Sequence, residues 1–224
     1  AFALIRGVVA GRLRPEHIIS AATTCDALAT HGTATDILSL AVVGEVTTNA
    51  IGAASHIAAA RLGRLARVVE MPFGTLTQQV LDPQSELYTS RPDVILLVPD
   101  PSGAANLDAH SLAGAESAVA ALCQRWVEIW DTLVTRLSGV RLLQHLYEEP
   151  DDDFAGVVER RLVWSPMSLT RAVNDALVSR APLAVHFMDT DRLAARVGRT
   201  SWRDPRLWHH GKVPFALKHL PDYI

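Results

Sequence analysis

The chain has 224 residues, of which 49% are hydrophobic and 20% charged, and its net charge is −3. That is the composition of an ordinary soluble globular protein, with no basic stripe for nucleic acid and no apolar run near the roughly 20 residues of a membrane span. A single α/β core that buries roughly 70–75% of the unfolded surface is within reach of this length.

Residues 1–10 read as a helix or docking arm, because no basic leader precedes them and Arg12 and Arg14 follow them, unlike a signal segment. Residues 15–30 form a predicted helix, with Pro15 suited to its first turn and Gly32 to its end. An apolar run, 37–43, then enters Gly44 as the expected central first strand. Helix 50–64, strand 66–71 and helix-forming residues 74–81 follow, and Asp82-Pro83 breaks the last of these. After a polar loop, residues 94–98 (VILLV) form an unalternated apolar run closed by Pro99-Asp100-Pro101-Ser102-Gly103. Such a run reads as a strand buried on both faces, with its carboxyl-end loop where open parallel sheets bind ligands.

Helix 114–137 carries Val119, Leu122, Trp126, Ile129, Trp130 and Leu133 at three- and four-residue spacing, so its tryptophans are expected in the core. Strand 140–143, an acidic and solvated loop 148–153, helix 168–179 and strand 183–188 complete the alternation. Five strands alternating with helices argue for a parallel, doubly wound sheet. Cys25 and Cys123 are expected as small buried side chains in a reducing cytoplasm. His186 is expected in the core, and Asp189 or Asp191 as a helix cap.

The phrase at 72–100, PFGTLTQQVLDPQSELYTSRPDVILLVPD, resembles the amino-terminal, SGNH-hydrolase-like domain of FkbH-type proteins. A second phrase, DTDRLAARVG followed by WRDPRLW, Lys212 and Pro214-Phe215, resembles the same family in the same order. The resemblance implies a three-layer, flavodoxin-like or SGNH-like fold of about five parallel strands with helices on both faces. Residues 34–224 would form that domain and residues 1–33 a helical extension. It also implies an acyl carrier protein as partner, and an adjoining HAD-type phosphatase domain or polyketide synthase module. The phosphopantetheine arm would bear the acyl, glyceryl-type unit, with no intrinsic cofactor. No DxDxT-type aspartate motif occurs, so phosphatase chemistry is not expected within this chain. A beginning at Ala1 without methionine suits an excised or processed domain.

An SGNH-type hydrolase needs a serine just after the first strand, oxyanion donors from later loops, and a histidine held by an aspartate near the carboxyl terminus. Here the turn reads Gly44-Glu45-Val46-Thr47-Thr48-Asn49; laid against GDSxT, Val46 or, one residue over, Glu45 falls on the serine, and neither offset supplies a hydroxyl there. Thr47 is a displaced candidate nucleophile, or caps the next helix together with Thr48 or Asn49. Glu45, Thr48, Asn49 and Gln144 are candidate substrate contacts. His145 stands where the family often has asparagine, which leaves its donor role open. Asp204 lacks a histidine three residues on, although His209 and His210 lie close in sequence. Arg206 and Lys212 suit a phosphate or carboxylate. The leading expectation is a scaffold without its nucleophile that binds an acyl unit or its carrier. The alternative is an active acyltransferase or thioesterase using Thr47 or a histidine-activated water.

Overall fold

The computed structural model describes all residues except 1, 12, 32–35 and 152–154. Five strands, β1 (Ile37–Gly44), β2 (Leu65–Glu70), β3 (Val94–Val98), β4 (Arg141–His145) and β5 (Val185–Met188), form one sheet in the order β2-β1-β3-β4-β5. Every neighbouring pair is parallel. This is a flavodoxin-like order, in which the chain reverses direction across the sheet between β1 and β3. The expected α/β class, strand number and three-layer arrangement are all present.

Two apolar layers explain why the central strands carry no polar alternation. On one face Leu40, Val42, Leu96 and Val98 pack with α2 (Pro15–His31) and α3 (Asn49–Arg61). On the other, Ala41, Val43, Ile95, Leu97 and Leu142 pack with α6 (Leu112–Arg136) and α7 (Pro166–Arg180). Trp126 and Trp130 are fully buried in α6, as their spacing predicts. Each indole still donates a hydrogen bond, to Tyr147 Oη and Gln144 Oε1, both at 2.7 Å. Ser111 and Ser165 cap α6 and α7 by accepting from the amides of Gly114 and Ser168.

The remaining helices are short: α1 (Phe2–Val9), α4 (Leu76–Leu81), α5 (Glu86–Thr89), α8 (Thr190–Val197), α9 (Arg199–Trp202), α10 (Pro205–Gly211) and α11 (Leu220–Tyr223). Val9, Leu13, Ile18 and Cys25 join the same apolar layer as α3, and Arg61 Nε donates to the Val9 carbonyl at 2.9 Å. The first two helices therefore share the sheet's core. The boundary expected at 33/34 lies outside the described residues. Cys25 and Cys123 are both buried, and burial raises both thiol pKa values. Among the described residues no helix is long and apolar enough to cross a membrane.

Three local expectations are corrected. The loop before β3 contains the helical turn α5, because Ser85 accepts the backbone amides of Tyr88 and Thr89. His186 is exposed, since β5 is an edge strand with an uncovered position there. The acidic run at 148–153, whose last two residues lie outside the described set, is not a solvated loop at its start. Glu148 is only 3% exposed, because C-terminal helices fold back over the end of β4.

Candidate functional site

Gly44 ends β1 against β3 so closely that an added Cβ would lie 2.8 Å from the Val98 carbonyl oxygen. The turn that follows is pulled in three directions. Glu45 N donates to the Val98 carbonyl at 2.9 Å. Its carboxylate accepts from the Asp100 amide at 3.0 Å and from Arg125 Nη2 at 2.6 Å, so it ties β1 to the β3 loop and to α6. Val46 points into the core and is 1% exposed.

Thr47 is held to the far end of α10. Its amide donates to the Lys212 carbonyl at 3.1 Å, and its hydroxyl donates to the Gly211 carbonyl. That hydroxyl proton is engaged with a backbone oxygen, not an imidazole. Thr48 Oγ1 donates to Glu70 Oε2 at 3.3 Å, and burial raises the Glu70 pKa. The capping expectation for this turn is corrected. Thr48 precedes α3 but has φ −109° and ψ −3°, far from the extended geometry that aims a cap oxygen at the first amides, and it makes no cap bond. Asn49 is exposed.

Gln144 and His145 are consecutive on a strand and therefore face opposite layers. Gln144 is fully buried beneath Trp130. His145 Nε2 lies 2.7 Å from Tyr223 Oη, and desolvation lowers its pKa to about 3, so the ring stays neutral near neutral pH. Both side chains are held in the core layers.

The open crevice at this end of the sheet lies one loop away. It measures about 290 Å³ and is lined by Ser102, Arg203, Asp204, Trp208 and His209, among others. Arg203 is its central cation. Nη1 donates to Ser102 Oγ at 2.9 Å, and Nη2 reaches Glu148 Oε2 at 3.3 Å. Glu148 Oε1 accepts from Trp202 Nε1 at 2.9 Å. Burial pushes the Glu148 pKa up to about 7, with Asp191 adding to the rise, while Arg203 and the Trp202 bond oppose it.

Of the expected residues, the crevice lining contains Asp204 and His209. Asp204 caps α10, its Oδ1 accepting from the amides of Arg206 and Leu207. His210 and Arg206 are exposed on α10, and the Lys212 ammonium sits 4.4 Å above the Trp208 ring. Gln144 and His145 are not brought together with these groups, and Thr47 meets them only through the backbone carbonyls of Gly211 and Lys212. Asp189 caps α8 through the Arg192 amide, and Asp191 is paired with Arg199. Among the described residues no group of three His, Cys, Asp or Glu side chains is placed to hold a metal.

Sequence reasoning missed Ser102, Glu148 and Arg203. The Pro101-Ser102-Gly103 loop after β3 was the available signal for Ser102. Arg203 and Glu148 are 55 residues apart and carry no local signature of their pairing.

The family model for the FkbH N-terminal domain matches residues 39–224. Comparison with curated proteins gives no match. Among solved structures, the N-terminal part of the protein BF1531 from Bacteroides fragilis, described as containing a phosphatase domain complexed with Mg, superposes with a TM-score of 0.67 at 16% identity. That match covers 89% of this chain and 53% of the other, so this chain spans about half of that solved N-terminal part. An extracellular lipase from Streptomyces rimosus aligns with a TM-score of 0.42 at 16% identity, over 72% of this chain and 82% of that one.

Proposed function

Since this chain belongs to the FkbH N-terminal domain family, we propose that it binds and positions an acyl, glyceryl-type unit on its carrier protein during polyketide assembly, without covalent chemistry at the turn after β1. One observation carries the reading. The turn where a nucleophile would stand holds a paired Glu45, a buried Val46 and a Thr47 whose hydroxyl is bonded to a backbone carbonyl. Loss of a triad serine costs about a millionfold in turnover, so this turn is no hydrolytic centre.

The crevice beside it offers chemistry that suits a phosphopantetheine arm. Ser102 Oγ and the His209 ring present hydrogen-bonding groups for amide and hydroxyl functions, and Trp208 and the prolines supply apolar wall. Outside the lining, exposed Arg206 and Lys212, the latter over the Trp208 ring, would add positive charge for the arm's phosphodiester. The partner is an acyl carrier protein in the cytoplasm, with a phosphatase domain adjoining, as in the Bacteroides fragilis neighbour. Titration of the chain with glyceryl-loaded and unloaded carrier protein by calorimetry tests this. Saturable binding that is tighter for the loaded form is expected; no association with either form would defeat it.

The rival reading, acyl transfer or thioester hydrolysis through a histidine-activated water, rests on His209 at the crevice rim. Release of free thiol from the loaded carrier, abolished by His209→Ala, would favour it.

A further inference from the structure

The C-terminal segment carries a hydroxyl–imidazole–carboxylate chain that is separate from the crevice lining. Ser201 Oγ lies 3.0 Å from His219 Nε2, and His219 Nδ1 lies 3.1 Å from Asp222 Oδ2. The three groups come from α9, from the 3₁₀ turn Leu217–His219 and from α11. The ring is held in place by Trp202, 5.9 Å away between centroids, which is itself stacked on Phe215 at 4.7 Å.

With Nδ1–H donating to the Asp222 carboxylate, the Nε2 lone pair faces the Ser201 hydroxyl. That is the arrangement that activates a serine, recognised by geometry and not by chain order. The Ser201 carbonyl oxygen also lies 3.0 Å from Nε2. In the neutral ring it receives no proton there. Once the hydroxyl proton has moved to Nε2, it becomes an acceptor for the imidazolium and stabilises that state.

We propose that Ser201 is an acylatable nucleophile, with His219 as its general base and Asp222 as the positioning residue, and that it takes activated acyl groups such as thioesters. Ser201 Oγ forms a bond to the thioester carbonyl carbon while its proton passes to His219 Nε2. Collapse breaks the carbon–sulfur bond, and the departing thiolate takes that proton and leaves as a thiol. The acyl group then sits on Ser201 as an ester, which water hydrolyses to the free acid.

The amide that follows a nucleophile commonly serves the oxyanion. Here Trp202 N is already bonded to the Gly198 carbonyl at 2.8 Å. Missing one such donor costs about 10²–10³ in rate, so acylation by activated donors with slow release is the expected behaviour. The inference stands apart from the crevice reading, because none of the three residues lines that cavity.

The test uses the full chain and a fluorophosphonate, with intact mass and peptide mapping as readouts. Ser201 Oγ displaces fluoride from phosphorus, and the proton is taken by His219. One adduct per chain, mapped to Ser201, is expected. The Ser201→Ala variant should take none, and His219→Gln should label about 10²-fold more slowly or worse with an unchanged far-UV spectrum. Incubation with an S-acetyl pantetheine should add one acetyl mass at the same residue. An unlabelled wild-type chain, an adduct on another residue such as Thr47, or an unchanged rate in a folded His219→Gln variant would overturn the proposal. Mapping on the wild-type chain decides the matter even if a variant fails to fold.

Discussion

Two glutamates stand just beyond strand ends at the same edge of the sheet, and each meets an arginine, yet they differ in kind. Glu45 follows β1 with a side chain 25% exposed, and its partner Arg125 is 40% exposed. Glu148 lies beyond β4 with a side chain only 4% exposed, and its partner Arg203 is 32% exposed. The first pair is screened by water and fastens a turn. In the second the carboxylate is buried behind Arg203, which lines the crevice; desolvation raises the carboxyl pKa to about 7, and Arg203 leads the pair out to Ser102. The contrast separates a turn fastened by a partly exposed pair from a crevice edged by a buried one, and burial sets the difference.

The sharpest way to break the buried side is Trp202→Ala. It removes a fully buried indole stacked on Phe215 and the hydrogen bond to Glu148. A loss of about 3–5 kcal/mol is expected, read as a lowered urea midpoint.

The next effect is a pH dependence. The folded Glu148 pKa, about 7, lies above the usual carboxylate value of about 4.3. The native state therefore holds a proton that the unfolded chain releases, and stability falls as pH rises from about 4.3 to 7. Glu148→Gln should remove this slope and gain up to about 3 kcal/mol on the wild type between pH 5 and pH 8. Urea melts at the two pH values check the sign; a wild-type slope that is absent or reversed would contradict the burial argument.

The exposed side should respond least. Glu45→Ser breaks a half-exposed ion pair and should cost about 0–1 kcal/mol. It also returns a hydroxyl to the turn. No hydrolysis of p-nitrophenyl acetate attributable to this residue is expected, because the side chain at 45 meets the Asp100 amide and the Arg125 guanidinium and not an imidazole. A new activity dependent on this serine would refute the vacated-turn account.

The scaffold was readable because its signals are local. VILLV at β3 and the spacing of Trp126, Ile129, Trp130 and Leu133 each specify a buried element from neighbouring residues alone. The site was less readable. Gln144 and His145 looked available at a strand end, but strand alternation sends one under α6 and the other under Tyr223. Glu148 reads in sequence as the start of a solvated acidic run, and only the return of Trp202 and Arg203 over β4 buries it. The short helices from Thr190 onward owe their positions to such long-range contacts, so neither the Arg203 crevice nor the approach of Ser201 to His219 had a local signature.

The most direct test of the central claim is calorimetric titration of acyl-loaded carrier protein into the wild-type chain and into Arg203→Gln. The account predicts saturable binding that weakens about tenfold or more when the guanidinium is removed, consistent with about 1.4 kcal/mol or more from its contacts. Equal affinity for the two proteins would contradict it.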